Sequence, residues 1–160
     1  DNGNLNLLDS HDVPRALNTL AKDIKSLKLA LFLLFINKGV PCIYYGTEIG
    51  LSGGAEPYCR ESFPCNNKYK DDIREFIKSI IEFRKKYRIF IKDGIKWTSP
   101  EKDILCGNLK SKKNKIIIYV NRSRLSTFNL SKTVSKIIFK SEEFNSKEVL
   151  PPQSLICYLN

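Results

Sequence analysis

The chain has 160 residues, 42% of them apolar and 28% charged, and a formal net charge of +10. That length can bury the core of one ordinary domain or two small ones, and that apolar content excludes a disordered chain. The longest apolar run, Leu29–Ile36, is far short of the ~18–20 residues a membrane span requires, so no membrane partner is expected.

"LNLL" (5–8) reads as the end of a buried strand that stops at Asp9-Ser10. Directly after it come His11, the only histidine of the chain, and Asp12, followed by Val13-Pro14-Arg15. "DIKSLKLALFLLFIN" (23–37) reads as a helix. Lysines occupy its first half, and from Leu29 it is apolar on every side, so it is expected to be deeply covered. Lys38-Gly39 is a stop signal. "VPCIYYG" (40–46) fits a second strand, buried on both faces in the parallel manner. Strand, helix and strand with short connections make a βαβ unit.

A long loop follows, "TEIGLSGGAEPYCRESFPCNNKYK" (47–70). A loop of that length in a compact domain is functional or disordered, and its Tyr, Phe, Cys and Arg content argues for function. "DDIREFIKSIIEFRKKY" (71–87) is the clearest helix, with Ile73, Phe76, Ile77, Ile80 and Ile81 in one apolar stripe. Its acids stand at the positive N-terminus and its bases at the C-terminus.

After Arg88 the texture changes to short apolar runs: "IFI" (89–91), "IKWT" (95–98), "ILCGNL" (104–109), "KIIIYVN" (115–121), "STFNL" (126–130), "KIIF" (136–139) and "SLICYL" (154–159). Turn residues separate them, as in an antiparallel sandwich. The boundary is set within 88–94, giving domains of residues 1–88 and 89–160.

The basic excess belongs to this second part. Residues 1–70 hold 8 Lys+Arg against 7 Asp+Glu, residues 71–160 hold 19 against 10. Lysines such as those of "LKSKKNK" (109–115) sit where loops and strand edges are expected and discourage edge pairing. No interleaving of arginine with aromatics accompanies them, so a solvated surface ranks ahead of a basic nucleic-acid-binding domain.

The five cysteines are odd in number. Cys42, Cys106 and Cys157 lie in apolar runs and read as small hydrophobes. Cys59 and Cys65 have no histidine near them in sequence, a poor zinc pattern, so no metal site is expected. A reducing, cytoplasmic setting is the simplest reading. The chain has no methionine, and reads as a processed protein or a piece of a longer one.

"NLLDSHDVPRAL" together with "GVPCIYYGTEIGLSGGAEPYCRESFP" resembles the last quarter of the catalytic barrel of the α-amylase family of glycoside hydrolases. The resemblance is strongest to its cyclomaltodextrinase, neopullulanase and maltogenic-amylase group. That group has "NLLGSHD", then "GIPCIYYGDE", then a Gly-Gly-x-Asp-Pro-x-Cys-Arg loop. The resemblance implies the C-terminal quarter of a (β/α)8 TIM barrel, with residues 5–9 and 40–45 as strands seven and eight and residues 71–87 as the closing helix. An antiparallel β-sandwich domain follows. Sites of this fold lie on loops after the C-terminal strand ends, where His11-Asp12 and the 47–70 loop stand.

By the same resemblance Asp12 is the catalytic transition-state stabiliser, His11 binds the same sugar, and Glu56 and Arg60 grip the next. Arg15 is expected to pack or form a salt bridge, and Tyr44, Tyr45 and Glu48 to shape the wall. The chain departs from the pattern at Thr47 (usually Asp), Glu56 (Asp) and Cys65-Asn66 (commonly Trp and an acid).

The family's nucleophile and acid/base belong to strands four and five, upstream of Asp1. The expectation is therefore a retaining α-glucan hydrolase acting on the α-1,4 bonds of maltodextrins or cyclodextrins, with α-1,6 bonds as a second class. This 160-residue piece is expected to be inactive alone. No cofactor is expected in it, and calcium is left to the parent. Expected partners are α-glucan oligosaccharides and the upstream part of the barrel. Without that part, helix 23–37 is expected to lack cover and the chain to form a homo-oligomer, the β domain being its most stable part. The alternative is a carbohydrate-binding or assembly module of a glucan enzyme, for which the aromatic supply around Trp97 is thin.

Overall fold

The computed structural model describes residues 3–65, 71–130, 136–145 and 148–160. The chain divides into two compact units, Asp1–Phe35 with Gly39–Glu82, and Ile36–Lys38 with Phe83–Asn160. Asn66 and the rest of "NNKYK" at the end of the long loop lie outside the described residues.

The first unit is built on a parallel pair of strands, β1 (Leu5–Leu7) and β2 (Val40–Cys42), with Leu5 opposite Val40 and Leu7 opposite Cys42. Between them run a short helix α1 (Ala16–Thr19) and the helix α2 (Ile24–Ile36). Asp23 starts α2: its Oδ1 accepts the Lys25 and Ser26 amides at 3.0 and 3.3 Å, satisfying donors that the first turn leaves free. Past its end, Gly39 has φ +110°, and a Cβ there would stand 2.7 Å from the Asn4 carbonyl. Only glycine lets the chain turn that closely into β2.

Two expectations are corrected here. The strands are shorter than their apolar runs and are not buried on both faces: Leu5, Leu7 and Val40 are 59%, 47% and 55% exposed. Among the described residues each strand has only the other for a neighbour, and two strands cannot cover themselves. Helix α2, by contrast, does not lack cover. Leu27, Leu29, Leu31, Phe32, Leu34, Phe35 and Ile36 are all buried.

Helix α3 (Asp72–Lys86) supplies part of that cover. Lys28 on α2 pairs with Asp72 at 3.3 Å and lies over the Phe76 ring. The buried stripe of α3 is Ile73, Phe76, Ile77, Ile80 and Phe83, while Ile81 is only half-buried.

The second unit takes in the end of α3, a helical turn α4 (Arg88–Ile91), and seven strands among the described residues. The run 89–91 is thus helical, not a strand. The Phe90 and Lys92 amides donate to the carbonyls of Tyr87 and Arg88, and only Ile91 of the three is buried, with Ile89 exposed.

Strands β3 (Lys96–Glu101), β4 (Ile104–Lys110), β5 (Lys115–Asn121), β7 (Lys136–Lys140) and β9 (Ser154–Leu159) form one antiparallel sheet of order β3-β4-β5-β9-β7. Strands β6 (Phe128–Asn129) and β8 (Val149–Leu150) pair separately. Strand β8 has no signature in the sequence: two residues beside Pro151-Pro152 give no period to read. Leu130 and Leu150 pack with Ile156 and Tyr158 of β9 in one buried cluster. Alternation on β5 puts Ile116, Ile118 and Val120 inside. The tip of the β4–β5 hairpin carries the exposed Lys112 and Lys113.

Burial, then Tyr119 and Cys157 beside it, pushes the Tyr158 phenol up to about 12. The phenol of an unfolded chain ionises near 10. Below about pH 10 the group is neutral folded or unfolded, and its full contribution to stability is present. Between about 10 and about 12 only the unfolded chain ionises, so that contribution is lost as pH rises through this window. Absorbance titration of the phenols should show a late ionisation step near pH 12 from Tyr158. Replacement by Phe should remove that late step; an unchanged curve would contradict it.

Candidate functional site

β1 and β2 are parallel, so the segments that leave them emerge at the same end of the pair. The first turns sharply: the Asp12 amide donates to Ser10 Oγ at 3.1 Å, and Ser10 bridges to Val13. This turn presents His11 and Asp12 to solvent. The second carries two 3-10 turns, Thr47–Ile49 and Tyr58–Arg60. The loop between them is held to the first segment by the Arg15 amide, which donates to the Gly53 carbonyl at 3.0 Å. A Cβ at Gly53 would collide with the Tyr58 carbonyl and meet Arg15 Cγ at 3.4 Å, so only glycine allows this approach.

All four residues expected at the site come together. His11 Nε2 lies 3.2 Å from Asp12 Oδ2. Arg60 Nη2 lies 3.5 Å from Asp12 Oδ1 and 2.9 Å from Glu56 Oε1. The guanidinium also reaches under the turn, its Nε donating to the His11 carbonyl at 2.9 Å. One planar cation thus holds a carboxylate from its own loop, a carboxylate from the other, and the backbone between His11 and Asp12. The side chains of the four are about half exposed or more. Each ion pair adds roughly 0–1 kcal/mol at most. Their value is arrangement: two carboxylates, an imidazole and a guanidinium whose remaining valences face water can bond to adjacent hydroxyl groups.

Beneath this cluster is Arg15, only 1% exposed. Its guanidinium lies over the rings of Tyr44 and Tyr45, 4.2 and 4.5 Å from their centroids, the two rings meeting edge to face 4.5 Å apart, and its Nη1 donates to the Tyr45 carbonyl. Among the described residues it makes no ion pair, and Nη2 has no partner. Of the two roles expected for Arg15, the salt bridge is therefore absent there, because two aromatic faces occupy the space an acid would take. The Tyr45 hydroxyl donates to the Glu61 carbonyl at 2.8 Å, tying the ring pair to the loop. Burial, and then Tyr45, holds the Tyr44 phenol above its ordinary value, while Arg15 pulls the other way. One carboxylate oxygen of Glu48, Oε2, is buried with no hydrogen-bond partner among the described residues.

Sequence reasoning gives no role in this site to three residues that shape it. Cys59 is buried, and its thiol donates to the His11 carbonyl at 3.1 Å, beside the bond from Arg60. Asp9 and Thr47 are buried and bonded to each other across 38 positions. A spacing that long leaves no local pattern to read. The Cys-Arg pair in the loop is the only sequence signal for Cys59. All five cysteines are free thiols, and no group of metal-binding side chains occurs among the described residues. No helix among them is long and apolar enough to cross a membrane.

The family model described as "Alpha amylase, catalytic domain" matches residues 1–86. The maltogenic alpha-amylase of Bacillus acidopullulyticus is 32% identical over 148 residues, 86% of this chain and 25% of that protein. The intracellular maltogenic amylase of Bacillus subtilis (strain 168) is 37% identical over 117 residues, 71% of this chain and 20% of that protein. A solved cyclomaltodextrinase superposes with a TM-score of 0.71 at 31% identity, over 81% of this chain and 23% of that one. The chain therefore spans a quarter or less of the length of these relatives.

Proposed function

The chain belongs to the alpha-amylase catalytic-domain family, and on that footing we propose that it is the C-terminal portion of a retaining α-glucan hydrolase. Its substrates are maltodextrins or cyclodextrins, cleaved at α-1,4 and, in branched chains, α-1,6 bonds. Residues 1–88 make the last quarter of a (β/α)8 barrel, with β1 and β2 as strands seven and eight. Residues 89–160 make an antiparallel β-sandwich.

One observation carries this reading. His11, Asp12, Glu56 and Arg60, from two loops leaving the same end of a parallel pair, meet in one exposed cluster. In a barrel enzyme that end is where substrate binds. Asp12 stabilises the flattened, positively charged sugar ring of the transition state, His11 bonds to the same sugar, and Glu56 with Arg60 holds its neighbour. The exposed Leu5, Leu7 and Val40 are the surface that the upstream part of the barrel covers; without that part, copies of the chain associate through it. The setting is cytoplasmic, as the name of the intracellular relative suggests, and this portion holds no cofactor.

The nucleophile and the acid/base belong to the upstream part, so the 160 residues alone are inactive. Assayed alone on maltodextrins the chain should show no turnover. Joined to the upstream part, it should release products whose anomeric configuration is retained, as read by NMR of fresh product. Turnover by the 160 residues alone would overturn this division of labour. A complete protein that leaves maltodextrins and cyclodextrins intact would overturn the assignment.

A further inference from the structure

Asp9 is a buried carboxylate with no part in the substrate contacts above. It directly follows the Leu8 that ends the first apolar run, two residues before His11, and is 3% exposed. Its Oδ2 accepts the Ala16 amide at 2.9 Å, at the start of α1. The Thr47 hydroxyl lies 3.0 and 2.9 Å from its two oxygens, so one proton is shared between them. Thr47 is itself buried and opens the 3-10 turn after β2. A single carboxylate therefore ties the segment that presents His11 and Asp12 to the segment that leads to Glu56 and Arg60.

No cation pairs with Asp9 among the described residues. An acid buried against neutral donors costs free energy that a neutral side chain would not. What it provides is direction, because its acceptor sites admit donors only along set lines. The family stretches "NLLGSHD" and "GIPCIYYGDE" have glycine where this chain has Asp9, and an acid where it has Thr47.

We infer that Asp9 is a positioning residue: through Thr47 and Ala16 it sets the His11–Asp12 turn against the Glu56–Arg60 loop. It touches no substrate. Its importance for catalysis rests on the sugar-site reading above, but its mechanical role does not.

The single histidine makes this testable in the chain as it stands. A ring-labelled His11 gives one imidazole signal, readable in a dimer as well as a monomer. Thr47→Val removes the donor 36 positions from His11 and leaves the charge. It should move the His11 ring signal and the Asp12 amide while leaving those of Val120 and Ile156 in place. Thr47→Ser should restore both signals, and Asp9→Asn combined with Thr47→Val should move them no further than the larger single change. Thermal unfolding is followed in parallel. If Thr47→Val lowers the melting temperature but His11 and Asp12 keep their signals, Asp9 is structural only and the inference is overturned. Should Asp9→Asn fail to fold, the two Thr47 variants still decide. Adding maltotriose to the chain joined to its upstream part separates the two readings: no response at His11 there counts against the sugar site and leaves the brace as the Thr47 variants find it.

Discussion

Asp12→Asn in the complete enzyme is expected to lower kcat about 10³-fold, roughly 4 kcal/mol, with a much smaller change in KM. The asparagine has the same shape and can still bond to a sugar hydroxyl, so ground-state binding largely survives. What it lacks is the negative charge, whose worth rises as the sugar ring becomes positive. Only interactions stronger in the transition state than in the ground state speed the reaction. On the proposed reading, the carboxylate meets this role from a set position. His11 lies 3.2 Å from one oxygen and Arg60 3.5 Å from the other, so its direction is fixed before substrate arrives. Folding should be unaffected, since the side chain is 64% exposed and its ion pairs are worth little. Glu56→Gln makes the contrast. It weakens the Glu56–Arg60 ion pair and, on the proposed reading, should raise KM more than it lowers kcat. A kcat for Asp12→Asn within tenfold of the unaltered enzyme would remove this residue from the chemistry.

The parts of the fold that are legible in the sequence are those whose cause is local. Helix α3 announces itself by a stripe at helical spacing and by acids and bases at the proper ends. The strand–helix–strand order of the first unit follows from two apolar runs and Gly39. That His11, Asp12, Glu56 and Arg60 belong to one cluster is legible because His11-Asp12 and the Cys-Arg loop are short motifs in a fixed order. What escapes has long-range causes. Nothing in "VPCIYYG" says that β2 has a single neighbour among the described residues, which is what leaves Val40 exposed. Nothing around Arg15 says that two rings, and no acid, close over it. The Asp9–Thr47 pair and the reach of Cys59 to the His11 carbonyl join residues 38 and 48 positions apart. Periodicity sees the face a residue occupies, never the partner it meets there.

The same limit hides Asn121, and its replacement by Ala is expected to cost the β domain about 3–5 kcal/mol. In the sequence it is only the polar end of "KIIIYVN". In the structure it is the fully buried last residue of β5, opposite Ile104 on one side and Ser154 on the other. Its Nδ2 donates to the carbonyls of Ser126, Leu150 and Pro151 at 2.8, 3.2 and 3.0 Å, and its Oδ1 accepts the Ser123 amide at 3.0 Å. Two protons serve three acceptors, so one bond is shared. Alanine would leave these backbone groups without their partner, the Leu150 carbonyl in a buried place and the others part-buried, and a buried unpaired group costs about 1–3 kcal/mol. Leucine should do no better, because volume does not replace the bonds. Aspartate should be at least as harmful: it keeps the acceptor for Ser123 but turns a charge toward three carbonyl oxygens. Denaturant unfolding followed at the β domain measures the loss, and amide exchange should quicken first where β5 meets β9. Losses below about 1 kcal/mol for both Ala and Asp would mean that the segments from Ser123 to Ser126 and around Pro151 are held by packing alone, and that the buried amide is incidental.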